Sequence, residues 1–380
     1  MASSFLKNLR KQEQKLEEGG IAVKSPPPKW WISTGSFLLN KIISGKYKGG
    51  IAQGRISGVT GPSSAGKSFI IANIVREAQA QGLGVLVLDS ESALDDNFMA
   101  AIGVDVERDD YIYRGISTIP QATKIVSGFI KEYRESGETQ PFLVVLDSID
   151  MLQTATQEEN YSKGEAKGDQ GQHAKQIKAM LAPWVHDIKS VNMAMVVTKQ
   201  VFQEQDPMLA KNPQTAWKFT ESTKYALSQI LLVTRFMLKD ENAKKIPGRS
   251  DTQYAGIRLK AYGMKTRFTK PFQSVSIEVP YETGINPYDG ILQVAVSMDV
   301  VEQNGAWYSF NGTKFQSKNL ADHQEAILEA LIAKESEGAE YLEDQSEGQI
   351  VDATERSSTP SERRKERLLN AMESDTPEED

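Results

Sequence analysis

The chain has 380 residues, 39% hydrophobic and 25% charged, enough for two or three domains, and its lack of cysteine excludes disulfides, thiolate nucleophiles and cysteine zinc sites. No apolar run is long enough to cross a bilayer, the segment 1–20 lacks the apolar centre of a secretory signal, and the three histidines (His173, His186, His323) stand outside metal-ligand spacing. The net charge of −7 divides unevenly: residues 335–380 hold 15 acidic and 5 basic side chains, leaving +3 on residues 1–334, which suits either a polyanion-binding body guarded by an acidic segment or a merely solubilising tail.

Residues 1–20 read as an amphipathic helix, with Phe5, Leu6, Leu9 and Leu16 on its apolar side and Gly19-Gly20 as its stop. Lys24-Ser25-Pro26-Pro27-Pro28 cannot continue a helix and makes a stiff linker, so the helix docks either on a neighbouring copy or on its own domain. Continuous apolar runs at Arg55–Val59, Val85–Asp89, Phe142–Asp147, Ala194–Thr198 and Ile230–Thr234 predict strands covered on both faces. Helical stripes fall between them, at Ile71, Ile74, Val75 and Ala78 and again at Ile177, Met180, Leu181, Trp184 and Ile188. Strands alternating with helices predict an α/β fold with a mainly parallel central sheet flanked by helices. Ile257–Tyr262 and Ser274–Val279 are expected as antiparallel strands at its edge. A small α+β unit is expected over 287–334. In it Trp307–Phe310 and Thr313–Phe315 make a hairpin across Asn311-Gly312, and a helix follows at Asp322–Ala333. Past Glu335 charge dominates and aromatics nearly vanish, which predicts an acidic disordered tail over 335–380.

The most informative stretch is Gly61-Pro62-Ser63-Ser64-Ala65-Gly66-Lys67-Ser68, the Gly-x4-Gly-Lys-Ser/Thr pattern of a phosphate-binding P-loop, set between an apolar strand and an amphipathic helix. Phosphate oxygens must approach backbone N–H groups closely, which side chains at Gly61 and Gly66 would obstruct. The following helix points its free N–H groups and positive dipole end at the anion. Lys67 supplies a point charge between the β- and γ-phosphates, and the Ser68 hydroxyl completes a Mg²⁺ shell. Asp147 ends a buried strand in the crevice where such sheets bind ligands, where it holds Mg²⁺ through water; the alternative is a helix cap. Glu91 lies just past the strand ending at Asp89, placed to deprotonate an attacking water; the alternative is a surface acid.

Beyond the P-loop, several segments resemble the RecA family. They are Ser33-Thr34-Gly35-Ser36, Gly49-Gly50-Ile51 and Gly54-Arg55-Ile56 ahead of the loop, then Asp89-Ser90-Glu91-Ser92-Ala93-Leu94-Asp95. Met264-Lys265-Thr266-Arg267-Phe268-Thr269-Lys270-Pro271-Phe272, Tyr281-Glu282-Thr283-Gly284-Ile285-Asn286 and Gly305-Ala306-Trp307-Tyr308-Ser309 follow in order. The resemblance covers about 30–334, and the short N-terminal helix and acidic tail fit either the bacterial RecA branch or the phage UvsX branch.

The resemblance implies an oligomerisation helix and linker over 1–28 and a RecA-type ATPase core with DNA-binding loops over 29–286. A C-terminal domain over 287–334 and the acidic tail 335–380 complete it. It implies a DNA-dependent ATPase that uses ATP and Mg²⁺, forms helical filaments on single-stranded DNA and catalyses homologous pairing and strand exchange. Its partners would be single- and double-stranded DNA, further copies of itself, and single-strand-binding and loader proteins, with no membrane, in a bacterial or phage-infected cytoplasm. Glu91 would be the catalytic base, Asp95 would bond the adenine amino group and Phe98 would stack on the ring. Gln200 would sense the γ-phosphate. Lys265 and Arg267 would reach the ATP of a neighbouring subunit, and Tyr281 would cover the adenine from that same neighbour. The DNA loops would lie at about 154–172, with Lys163, Lys167 and nearby Lys175, and at about 201–222, with Phe202, Lys211, Trp217, Lys218 and Phe219.

This sequence departs from the family pattern in two places. Lys199 stands where the bacterial protein has an amide, and the second loop lacks paired glycines and sets two lysines against Glu204, Asp206 and Glu221. Solvated loops are the plain alternative to the DNA reading. A ring-forming helicase or repair ATPase on the same core, and a nucleotide-switched adaptor, are the alternative functions.

Overall fold

The apolar runs fold into strands whose alternate side chains enter cores on opposite faces of one sheet. A computed structural model describes residue 11 and residues 27–165, 171–211, 215–239 and 254–349. The strands are β1 (Ile56–Gly61), β2 (Gly84–Asp89), β3 (Tyr111–Gly115), β4 (Phe142–Asp147), β5 (Met193–Gln200), β6 (Gln229–Lys239), β7 (Tyr254–Lys265) and β8 (Ser274–Pro280). Their order across the sheet is β8-β7-β6-β1-β5-β4-β2-β3. The six from β6 to β3 are parallel, and β7 and β8 run antiparallel at one edge. This is the predicted α/β architecture.

Helices α1 (Phe37–Ser44), α2 (Lys67–Ala80), α3 (Asp96–Ile102), α4 (Ile119–Ser136), α5 (Ala155–Ser162) and α6 (Gln172–Asp187) fill the connections. Val85, Val87, Leu143 and Val145 face a core shared with Ile70, Ile71, Ile74 and Val75 of α2. Leu86, Leu88, Val144 and Leu146 face the other core, closed by Ile119, Val126 and Ile130 of α4 and Ile177, Leu181 and Trp184 of α6. Both faces are covered, which is why these strands read as unbroken apolar runs. The edge strand β3 escaped the sequence reading because only Tyr111 among its five residues is buried, which leaves no apolar run to see. Likewise β6 continues past the expected end at Thr234, since Arg235, Phe236 and Met237 lie exposed on its outer half.

The chain divides into two compact units, Met1–Val294 and Ala295–Asp380. The sequence boundary at 286/287 falls short because residues after it pack back on the first unit. The Phe37 N–H donates to the Pro287 carbonyl, and the Tyr288 ring meets Phe37 edge-on at 4.9 Å. In the second unit Glu302–Asn304, Trp307–Phe310 and Thr313–Gln316 form a three-stranded antiparallel sheet. Its two-residue turn places Asn311 and Gly312 at φ 50° and 78°, the left-handed pair that Asn-Gly accepts. The following helix, α7, runs Gln324–Gln349, well past Glu335 where a disordered tail was expected. Glu, Gln, Ala and Leu, which recur along α7, are strong helix formers, so high charge alone did not decide the local structure. The expected N-terminal helix over 1–20, Lys11 apart, and residues 350–380 lie outside the described residues.

Trp184 is fully buried and its indole N–H donates to Ser127 Oγ at 3.3 Å. Trp184→Ala opens a large cavity under the sheet, so a destabilisation of about 3–5 kcal/mol is expected in chemical denaturation of the full chain.

Candidate nucleotide site and nucleic-acid loops

Strand β1 delivers Gly61, and the chain turns through Gly66, at φ 94°, into α2. A Cβ at Gly61 would stand 2.4 Å from the Val233 carbonyl oxygen, so the loop closes this tightly against β6 only with glycine there. Lys67 is buried and donates to the Pro62 carbonyl at 3.2 Å, folding back over the loop it follows. Ser63, Ser64, Ala65, Lys67 and Ser68 line a cavity of about 560 Å³, together with Glu91, Phe98 and Gln200. The sequence therefore named residues that the fold does bring together.

Beside the loop, Ser68 Oγ donates to Asp147 Oδ2 at 3.0 Å, while the Thr198 hydroxyl donates to Asp147 Oδ1. Asp147 is fully buried at the end of β4. Burial pushes its carboxyl up to about 6, the charges of Glu91 and Asp89 add to the rise, and the Thr198 and Ser68 hydroxyls oppose it. A cis peptide joins Asp147 to Ser148. Ser148 Oγ donates to Glu91 Oε1 at 2.6 Å, so Glu91 is held by the residue next to Asp147. Asp89, also buried, accepts from the N–H groups of Glu91 and Leu94 at 2.9 Å each and from the Tyr113 hydroxyl at 3.1 Å. Burial and the Asp89 charge push the Tyr113 hydroxyl up to about 12, which keeps it a donor. Ser148 and Asp89 were missed as positioning residues, because a serine and a strand-end Asp carry no signal without the fold.

Among the described residues no cluster of three or more His, Cys, Asp or Glu could hold a metal alone. The pair Ser68 and Asp147, beside a phosphate cradle, fits Mg²⁺, which takes few protein oxygens and completes its shell with phosphate and water.

Asp95 caps α3, accepting from the Phe98 N–H at 3.0 Å, and Phe98 packs partly on the core while lining the cavity. Tyr281 lies beside its own chain's phosphate loop, lining a groove of about 310 Å³ with Gly66, Phe69, Ile102 and Arg235. The sequence reading brought Tyr281 from a neighbour. The antiparallel edge sets it, one residue past β8, beside α2 and α3 of its own chain. Arg235 lines both the groove and the cavity and was missed, because the reading ended β6 one residue earlier. Met151 also reaches the cavity.

Lys265 and Arg267 line neither cavity nor groove. Lys265 pairs in register with Ile230 at the start of β6, and its ammonium donates to the Lys224 carbonyl at 2.6 Å. That is the far end of β6 from Val233 and Arg235, which reach the phosphate loop. Arg267 joins a cationic cluster there. Burial, then the Arg267 charge, lowers the Arg55 guanidinium, and burial followed by the charges of Arg55 and Arg267 lowers Lys189.

Of the first loop, Thr154 caps α5 and bonds reciprocally with Gln157, Lys163 pairs with Glu159, and Lys175 is exposed on α6. Lys167 lies outside the described residues. In the second loop Phe202 and Lys218 pair across a two-residue ladder, with Trp217 opposite Gln203. Lys218 pairs with Glu204 at 3.0 Å, Lys211 is exposed and Phe219 packs partly on the core rather than standing free. Tyr161, Phe202 and Met208 are 80%, 65% and 84% exposed, so each loop presents apolar side chains to solvent.

Residues 22–286 match the RecA N-terminal domain family. The chain is 27% identical over 331 residues to Protein RecA of Teredinibacter turnerae, covering 84% of each chain. It is 28% identical over 293 residues to Protein RecA of Clostridioides difficile, covering 74% of each. Protein RecA of Ectopseudomonas oleovorans is similar at 29% over 288 residues, again 74% of each.

Asp147 generates a pH prediction. Its folded carboxyl is raised from 3.8 to about 6, so the stability it confers is fully present below the unfolded value and is lost as pH rises through about 6. Asp147→Asn removes that loss. At about pH 8 without Mg²⁺ the variant should be more stable by about 2–3 kcal/mol, with the gain absent near pH 4, as read by thermal unfolding.

Proposed function

From the premise that this chain belongs to the RecA family of recombinases, shown by the match over residues 22–286, we propose that it is a DNA-dependent ATPase. In this reading it assembles head to tail as a helical filament on single-stranded DNA and catalyses homologous pairing and strand exchange. The observation that carries the reading is the split of the charged groups. The phosphate loop, Glu91 and Gln200 share one cavity, while Lys265 and Arg267 stand at the other end of the strands. Stacking one copy on the next brings the second set to the first.

ATP is the substrate. The phosphate loop and the α2 N-terminus hold its phosphates, and Phe98 and Tyr281 of the same chain flank the base, with Asp95 near the adenine amino group. Mg²⁺, held by Ser68 directly and Asp147 through water, would neutralise charge on the β- and γ-phosphates. Glu91, fixed by Ser148, takes a proton from a water whose oxygen bonds the γ-phosphorus as the bond to the β–γ bridging oxygen breaks. ADP leaves with that electron pair. Lys265 and Arg267 of the neighbour stabilise the charge on the transferring phosphoryl group, so turnover requires the assembly.

Gln200 ends β5 where the second loop begins, and the first loop leaves β4 beside it. The state of the γ-phosphate thereby sets the position of both loops. Tyr161, Phe202 and Met208 supply faces for bases, and Lys175 and Lys211 supply charge for phosphates. In this reading the chemistry takes place in the cytoplasm of a bacterium or an infected host, with single-strand-binding and loader proteins as partners.

Linkage requires that ATP and DNA favour each other's binding. A non-hydrolysable ATP analogue should tighten binding to a single-stranded oligonucleotide by about 5–150-fold relative to ADP. Negative-stain images of the same samples should show helical filaments rather than rings. Equal affinity with the analogue, with ADP and without nucleotide contradicts the proposal.

A further inference from the structure

The lysine at position 199 departs from the family pattern, and the structure gives it a partner. Its side chain is almost fully buried, and its ammonium forms an ion pair with Asp150 Oδ1. The second carboxylate oxygen, Asp150 Oδ2, accepts from the backbone N–H of Gln200 at 2.7 Å. One carboxylate therefore holds two successive residues of β5, the second of them the residue that lines the nucleotide cavity.

The position of this pair in the sheet gives it a consequence. The backbone ladder between β4 and β5 ends at Leu146 opposite Val197. Past that point the two chains are joined by the Asp147–Thr198 hydrogen bond, then by the Ile149 N–H on the Thr198 carbonyl at 3.2 Å, then by Asp150 on Lys199 and Gln200. Beyond Asp150 the chain runs through Met151 into the first loop, and beyond Gln200 it runs through Val201 into the second. The pair is the last described join at the fork from which both loops depart. Each partner also precedes a cavity-lining residue, Met151 on one side and Gln200 on the other.

We propose that Lys199 and Asp150 are positioning residues that clamp this fork, so that a displacement of Gln200 by the γ-phosphate moves both nucleic-acid loops together. The inference rests on the reading of those loops as DNA-binding and of Gln200 as the nucleotide sensor. A buried ammonium with a single carboxylate cannot slide without losing its partner, so the clamp holds a fixed register rather than a range of them. An amide in its place would donate to the same carboxylate without a charge of its own, a weaker join that leaves the two loops less tightly held.

The test uses the full chain, a labelled single-stranded oligonucleotide, a non-hydrolysable ATP analogue and ADP. Lys199→Met removes the charge and keeps the length, and half-buried Asp150 keeps its bond from the Gln200 N–H. The ratio of DNA affinities between the analogue and ADP should fall by about tenfold in this variant, with nucleotide affinity unchanged within about twofold. Lys199→Arg, which can re-form the pair, should restore the ratio. If Lys199→Met does not fold, the double variant Lys199→Met with Asp150→Asn, which leaves no buried charge, is measured in the same way.

A merely structural role would lower the thermal midpoint and leave the ratio intact. An unchanged ratio in the folded variant, no rescue by Lys199→Arg, or a parallel loss of nucleotide affinity each overturns the clamp. If the unaltered protein shows no nucleotide-dependent ratio, the DNA reading fails and the clamp fails with it. A normal ratio there with an unchanged one in Lys199→Met sinks the clamp alone.

Discussion

A carboxylate buried at the end of a parallel strand must be partnered, and Asp147 is partnered by hydroxyls from two other segments, Ser68 of the phosphate loop and Thr198 of β5. This small network ties three adjacent strands to one point. The next residue, Ser148, holds Glu91, and Asp150 holds the end of β5. The four consecutive residues from Asp147, which ends β4, to Asp150 thus include partners of Ser68, Thr198, Glu91 and Gln200. The cost is visible in the raised carboxyl of Asp147, which burial and two neighbouring acids oppose ionising. A divalent cation held there would relieve that opposition.

The cationic side has the complementary character. Burial and then the Arg267 charge lower Arg55, and burial followed by the charges of Arg55 and Arg267 lowers Lys189. Positive charge held together at the N-terminal end of the strands and negative charge at the other end make the two ends of the unit electrostatically complementary. The proposed head-to-tail stacking would satisfy both at once. In that proposed arrangement hydrolysis would be conditional on assembly, because the cations that would stabilise the transition state belong to another copy.

The fold was largely legible because strands covered on both faces leave unbroken apolar runs, and five of them stood in the sequence at the right places. The phosphate loop was legible because its chemistry demands glycine, lysine and a hydroxyl at fixed spacing. Edge strand β3 and the outer half of β6 were not, since a half-exposed strand has no such run. For the same reason Arg235, one residue beyond the read end of β6, went unassigned. The Ser148 bond to Glu91 and the Asp150 bond to Lys199 join segments 57 and 49 residues apart, and nothing local announces them. Tyr281 was read as covering a neighbour's adenine; its place beside its own chain's phosphate loop follows from the strand order across the sheet, which no motif announces.

The central claim is that the catalytic constellation is divided between neighbouring copies. It is tested most directly by mixing Lys265→Ala protein with Glu91→Ala protein on single-stranded DNA and measuring ATP turnover. Each variant alone should be nearly inactive. An equal mixture should regain about a quarter of the unaltered rate, because random neighbours reunite an intact base with an intact cation at one interface in four. A mixture no faster than its components, or Lys265→Ala turning over at the full rate by itself, would contradict the account.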